Sequence, residues 1–212
     1  MGALSDLPLE LFVQARVVDR DRVIDGSGIS QGDAILGLAS SGCHSNGFSL
    51  VRRIVDSGVR AGRLDLRAEN SELNTSLAAA LLAPTRIYVK PLLHVMRDFT
   101  LKGLVHITGG GFPGNVPRIL PRAVRARIDT RTWPRPALFD LLQREGSLSD
   151  EEMLRVFNCG IGMLVIVARE QANDTIERLQ ALGERAYRIG EIEAKQADES
   201  PVFWGELETS DH

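Results

Sequence analysis

Between Gly32 and Val55 the chain reads GDAILGLASSGCHSNGFSLVRRIV, and no other stretch restricts the possible folds so much. Ala34 to Ala39 is an apolar run of strand length. The small polar turn Ser40-Ser41-Gly42-Cys43-His44-Ser45-Asn46-Gly47 follows at once. Beyond it Phe48, Val51, Ile54 and Val55 recur at helical spacing, and Gly58 is placed to stop the helix. A strand, a turn rich in glycine and hydroxyls, and then a helix aims backbone N–H groups at an anion. The turn also holds an imidazole, hydroxyls and a carboxamide, a mixture better suited to a phosphate or amide than to packing. His44 read by itself divides evenly between a functional and a structural loop histidine.

A second unit of the same kind lies further on. Leu104 to Ile107 reads as a short strand, Thr108-Gly109-Gly110-Gly111-Phe112 as a glycine turn, and Pro113 opens a short helix closed by Pro121. Three successive glycines allow a close approach of backbone to a ligand, although such a run is often only a flexible turn. Two such loops, each after a strand, point to one cleft at the strand ends. Arg86 and Lys90, in a segment bracketed by Pro84 and Pro91, read first as solvated cations, and Arg118 as a charge on a short helix. His94 and His106 read as core or structural. No Walker A, HExxH or Ser–His–Asp arrangement is present.

The remaining elements follow from pattern. Residues 1–15 read as an arm or short helix, Arg16 to Ile24 as a strand, and Asp25-Gly26-Ser27-Gly28 as a turn. Arg60 to Asn70 reads as loop, Leu77 to Leu82 as helix, and a helix starts at Pro91 and runs to about Phe99. Val124 to Ile128 alternates apolar residues with arginine, as a half-exposed strand does. Ala137 to Arg144 is amphipathic. Ser149-Asp150-Glu151-Glu152 is a capping box opening a helix to about Val156. Ile161 to Ala168 is almost wholly apolar and predicts an interior strand buried on both faces. Glu170 to Leu182 predicts a helix and Ala186 to Ile192 a closing strand. The expected division is an arm (1–15), one domain (16–194) and a tail (195–212) into which Phe203 and Trp204 can tuck back. Strands and helices mix without strict alternation, so the expected class is α+β, a mixed β-sheet layered with helices.

The balance of 25 basic against 28 acidic residues, net charge −3, gives no reason to expect nucleic acid as a partner. Cys43 and Cys159 lack CxxC spacing and read as reduced thiols, with no metal site. No apolar run approaches ~18 residues and no signal-peptide pattern opens the sequence, which predicts a cytoplasmic protein without a membrane partner.

The two loop units, together with LLAPTRIYVKPLL, HITGGGFPGNVPRILP, WPRPALFDLLQREGSLSDEEMLRVFNCGIGMLVIV and RAYRIGEI, resemble the phosphoribosylformylglycinamidine cyclo-ligase (aminoimidazole ribonucleotide synthetase) family of purine biosynthesis. The resemblance runs in order from about Val17 to Ile192 and corresponds to that family's C-terminal half. The aspartate-rich segments and the glycine-rich ATP loop of its N-terminal half have no counterpart here, and Cys43 stands where that family more often has proline.

The resemblance implies an enzyme that uses ATP and Mg2+ to phosphorylate the amide oxygen of formylglycinamidine ribonucleotide. An internal nitrogen then attacks, phosphate leaves and the imidazole ring closes. It implies His44 as catalytic residue. It implies Ser40, Ser41, Gly42, Ser45, Asn46, Thr108, Gly109, Gly110, Gly111 and Arg86 as binding groups for substrate or phosphate. The main ligands of ATP and Mg2+ would lie in the other half. Partners implied are the phosphorylated ribonucleotide and either that N-terminal half or a second copy. The alternative is a non-catalytic remnant or split-enzyme subunit that binds a phosphorylated ligand or the missing half.

Overall fold

The computed structural model describes residues 23–207. The arm at 1–15 and most of the strand expected over Arg16 to Ile24 fall outside that range, and Val23 and Ile24 belong to no strand.

Six strands form one mixed sheet in the order β4-β6-β1-β7-β5-β8. They are β1 (Ala34–Ala39), β4 (Leu101–His106), β5 (Val124–Ile128), β6 (Ile161–Val167), β7 (Ala186–Ala194) and β8 (Val202–Trp204). Neighbours are antiparallel except β5 and β8, which run parallel. The two-residue strands β2 (Glu69–Asn70) and β3 (Thr75–Ser76) make a separate ladder.

Helices cover both faces of the large sheet. On one side α1 (Phe48–Arg60), α4 (Gly111–Asn115), α5 (Ala137–Gly146) and α6 (Asp150–Val156) pack Val51, Ile54, Phe112, Phe139 and Met153 against Ile35, Leu164 and Ile189. On the other, α3 (Val89–Asp98) and α7 (Ala172–Ala181) pack Leu92, Val95 and Leu179 against Leu36, Leu38 and Val165. α2 (Leu77–Leu81) bridges β3 and the segment before α3. β1 lies under both layers and is buried at every position, as its unbroken apolar run requires. β6 is interior, between β4 and β1, and only Met163 is even half exposed. Ser149 and Glu152 make the reciprocal capping bonds of α6.

α7 packs on the start of β7, where Ala186 joins that layer's core, and α3 and α7 leave β5, β8 and the rest of β7 uncovered on their side. There Arg125 pairs with Glu193 at 3.1 Å and Glu199 at 2.6 Å, and Arg127 pairs with Glu191 and Glu193. The alternation seen in Val124–Ile128 thus marks a strand with one face in the core and one in an ion-pair lattice. Phe203 and Trp204 do tuck back, as part of β8, and the Arg125 guanidinium sits 4.2 Å over the Phe203 ring.

Several local readings need correction. Gly58 does not stop α1, which runs through it to Arg60, and Glu69–Asn70, read as the end of a loop, forms β2. β4 begins at Leu101, three residues before the expected start, because Leu101 and Gly103 pair with Val167 and Ile166. His94 and His106 are exposed and are not core residues: His94 lies on the outer side of α3, and His106 ends β4 at the sheet edge.

Candidate functional site

β1 and β4 each run antiparallel to the β6 strand between them, so both point the same way. The loop Ser40–Gly47 and the turn Thr108–Phe112 therefore leave one sheet edge, on either side of the start of β6. The Asn46 carboxamide spans them, its Nδ2 3.5 Å from the Ile107 carbonyl oxygen.

The loop after β1 is built around His44, which takes a left-handed backbone conformation at φ 55° and is only 4% exposed. Its Nε2 accepts from the Ser41 N–H at 3.3 Å and the Arg86 N–H at 3.4 Å. A nitrogen that accepts two backbone donors is unprotonated, so the neutral ring carries its proton on Nδ1. That atom is buried and has no partner among the described residues. Burial, reinforced by the neighbouring His106, pushes the imidazole down to about 4. At neutral pH His44 is therefore an uncharged ring with one uncommitted donor.

Three rings make up the surroundings. The His44 and His106 centroids are 6.1 Å apart, and Tyr88 stands 6.3 Å from His44 and 6.2 Å from His106. Tyr88 Oη donates to the Ala39 carbonyl at 2.9 Å, and burial raises its phenol above the ordinary range. Gly162 in β6 makes the room: a Cβ there would lie 2.2 Å from Tyr88 Oη and 2.5 Å from His44 Cε1.

The other loop residues divide into those turned inward and those left at the surface. Ser40 Oγ donates to Asn158 Oδ1 at 3.0 Å, and Asn158 Nδ2 donates to the Gly42 carbonyl at 2.8 Å, so a buried carboxamide holds both. Ser41 Oγ donates to the Pro84 carbonyl. Arg86 is not a solvated cation. Its Nε reaches Glu184 at 2.8 Å and its Nη2 the Gly183 carbonyl at 3.2 Å, pinning the segment before α3 to the start of β7. Ser45 stays outside, its hydroxyl 3.5 Å from Thr85 Oγ1. Ser45, His44, Arg52, Leu82 and Thr85 line a hollow of about 410 Å³. The N–H groups of Gly42, Cys43, His44 and Ser45 meet no acceptor among the described residues.

The glycine turn has a different construction. Asn115 Nδ2 donates to the carbonyls of Thr108, Gly109 and Gly111, and its Oδ1 accepts from Thr108 Oγ1. Gly111, at φ +57°, lies so close to α6 that a Cβ would come 2.0 Å from the Leu154 carbonyl oxygen. The N–H groups of Gly109 and Gly110 meet no acceptor among the described residues. Thr108 lines a second hollow of about 500 Å³ with His106, Asn115 and Arg118. The two loops thus share an edge but open onto separate hollows, with the His44–His106 pair near both. Tyr88, His106, Asn115, Asn158 and Gly162 were not singled out from sequence. Only Asn158, between the apolar Val156–Phe157 and Cys159-Gly160, carried any hint of a buried polar role.

Among the described residues no group of three or more His, Cys, Asp or Glu side chains is arranged to hold a metal ion. Cys43 and Cys159 are free, buried thiols, each pushed up to about 12 by desolvation. No helix of the described residues is long and apolar enough to cross a membrane.

A mixed six-stranded sheet with helices on both faces, its two glycine-bearing loops at one edge, defines an α+β domain. Residues 30–202 match the family described as "AIR synthase related protein, C-terminal domain", and the chain belongs to that family. It is 52% identical over 182 residues to the phosphoribosylformylglycinamidine cyclo-ligase of Nitrosospira multiformis, and 51% identical over 183 residues to that of Burkholderia mallei. In both cases the match covers 86% of this chain and 50% of the relative, so the chain spans about half the length of the relatives it matches. The fold is also that of thiamine-monophosphate kinase from Stenotrophomonas maltophilia, at a TM-score of 0.58 and 21% identity, covering 88% of this chain and 54% of that one. Hydrogenase Maturation Protein HypE in complex with ATP aligns at 0.53 and 19% identity, over 87% of this chain and 50% of that one.

Proposed function

We propose that this domain supplies one wall of the cleft in which a cytoplasmic, ATP-dependent cyclo-ligase closes the imidazole ring of aminoimidazole ribonucleotide. The carrying observation is the buried, unpartnered Nδ1–H of His44 in a loop of free backbone amides. Ring closure turns an amide oxygen into a phosphate leaving group, and the negative charge on oxygen grows before the bond breaks. A fixed donor in a dry setting stabilises that charge more than water can. His44 donates through Nδ1–H to the substrate's amide or phosphoryl oxygen and keeps its proton throughout. With the imidazole pushed down to about 4, almost no imidazolium is present at neutral pH to act as a proton donor.

Ser45 and Asn46, with the amides of Gly42–Ser45, would hold the oxygens around it, and Gly109 and Gly110 would contact the far end of the phosphorylated ribonucleotide. ATP supplies the phosphoryl group, and Mg2+ would neutralise the phosphate charge during transfer. The described residues fit a bound phosphate but offer no carboxylate cluster for the metal, so no step is assigned to it here.

The test is steady-state ring closure assayed on the chain alone and on a chimaera in which it replaces the corresponding half of the Nitrosospira multiformis relative. Turnover by the chimaera, at least tenfold reduced by His44→Gln with the melting temperature unchanged, supports the reading. An active chimaera indifferent to His44→Gln removes His44 from the chemistry. The isolated chain is expected to bind the ribonucleotide weakly in calorimetry and not to turn it over. Turnover by the chain alone at the level of a complete enzyme would mean that its own residues hold ATP.

A further inference from the structure

A third hollow, of about 530 Å³, shares no lining residue with those of His44 and Thr108. Its lining comes from the segment between β5 and α5, from α6 and from β8, and it includes both tryptophans of the chain, Trp133 and Trp204. Both indoles pack on the fully buried Phe112. The Trp133 ring lies 6.1 Å from it at 25°, and the Trp204 ring 5.7 Å from it at 83°. The two indoles are therefore steeply inclined to each other. A flat molecule stacked on one meets the other edge-on, and stacked and edge-to-face contacts are the two that aromatic rings prefer. Trp133 is only 5% exposed and its Nε1 donates to the Cys159 carbonyl at 3.0 Å, so it closes the base. Trp204 is half-buried, and its Nε1 meets no acceptor among the described residues.

The polar groups around this corner say what it can hold. Arg135, the one cation of the lining, is already engaged by Asp140 at 3.2 Å and Asp150 at 3.5 Å. The exposed Glu151 carboxylate and the Thr130 hydroxyl line the same hollow and have no partner among the described residues. One guanidinium thus stands against three carboxylates, and a phosphate or carboxylate entering the hollow meets like charge. What is left open is an acceptor, a hydroxyl and an indole N–H beside aromatic walls. A hollow of this volume with a few convergent polar groups is the ordinary form of a small-molecule site.

We propose that this hollow binds a planar nitrogen heterocycle without negative charge, of the size of a nucleobase or nucleoside. Its ring stacks in the corner formed by Trp133 and Trp204. An N–H of the heterocycle donates to the Glu151 carboxylate, and its ring nitrogens or carbonyls accept from Trp204 Nε1 or the Thr130 hydroxyl. A phosphate carried on the same molecule is rejected by Asp150 and Glu151. The proposal does not depend on the role of His44.

Because both tryptophans line the hollow, the intrinsic fluorescence of the full chain reads this site directly. The chain is titrated with adenosine, with AMP and with tetramethylammonium, and each affinity is checked by calorimetry. Saturable binding of adenosine is expected, at least tenfold weaker binding of AMP, and no saturation by tetramethylammonium. Trp204→Ala is expected to weaken adenosine at least tenfold, read from the remaining Trp133 and from calorimetry. Glu151→Gln, at an exposed position, leaves the fold intact by circular dichroism and keeps the test open should Trp204→Ala not fold. It is expected to weaken adenosine and to bring AMP closer to it, a convergence that simple loosening of the hollow does not produce. No saturable binding of adenosine overturns the proposal. So does AMP binding as tightly as adenosine to the wild type, or an adenosine affinity that Glu151→Gln leaves unmoved. Saturation by tetramethylammonium without adenosine binding also overturns it, because the occupant is then an aliphatic cation.

Discussion

The loops after β1 and β4 look alike as strings of residues and differ as physical objects. In the loop after β1, side chains fold inward onto Asn158 and Pro84, and the one buried side-chain polar atom without a partner among the described residues is His44 Nδ1. In the turn after β4, one carboxamide, Asn115, gathers the carbonyls, and a glycine is needed because α6 leaves no room for a side chain. The first loop stores an unmet donor. The second is a packing joint with amides at its rim. A glycine in such a loop is therefore no guide to ligand binding until it is known what lies against its Cα.

This difference can be broken by substitution. The largest effect is expected at the joint: Gly111→Ala sets a methyl against the Leu154 carbonyl and forces φ +57° on an alanine, for a loss of roughly 3 kcal/mol or more in chemical denaturation. A loss below about 1 kcal/mol would show that α4 can shift away from α6.

The next effect belongs to His44. Its folded-state titration near 4 lies below the ordinary value of 6.5, so the unfolded chain binds a proton more readily. The corresponding stability is present above pH 6.5 and is lost as pH falls from 6.5 to 4, to a total of up to about 3 kcal/mol. Denaturation of wild type and His44→Gln across that window should show the pH dependence shrink in the variant. Identical slopes would mean that His44 titrates normally.

Asn115→Ala follows, at about 2 kcal/mol, since it strips a buried residue of its bonds to three carbonyls and a hydroxyl. The smallest effect on stability is Ser45→Ala, within about 0.5 kcal/mol, because its hydroxyl is exposed and 3.5 Å from its neighbour. Calorimetry with the phosphorylated ribonucleotide should nevertheless show weaker binding for Ser45→Ala. Unchanged affinity would remove the Ser45 hydroxyl from the contacts to the ligand.

Much of the fold was legible from local pattern. Val124–Ile128 alternates and is half buried, and Ile161–Val167 is apolar and interior. Each of these signals is set by residues within one or two turns of each other. The candidate site was legible only in outline. His44 and the two loops stand out as strings, but Arg86 looked free and is paired with Glu184, and His106, read as core or structural, stands at the edge beside His44. Arg86 and Glu184 are separated by 98 positions, and no periodicity connects them.

The sequence by itself determined the family, most of the described helices and strands and the position of the two loops, because spacing, capping and apolar runs act through near neighbours. Tertiary structure alone decided what each loop residue does. Asn158 reaches Ser40 across 118 positions, Gly162 opens the space in which Tyr88 and His44 stand, and backbone N–H groups from Ser41 and Arg86 choose which nitrogen of His44 carries the proton. A proton's place on an imidazole depends on donors that only the folded chain brings together, and in this site that placement leaves the buried Nδ1–H without a partner among the described residues.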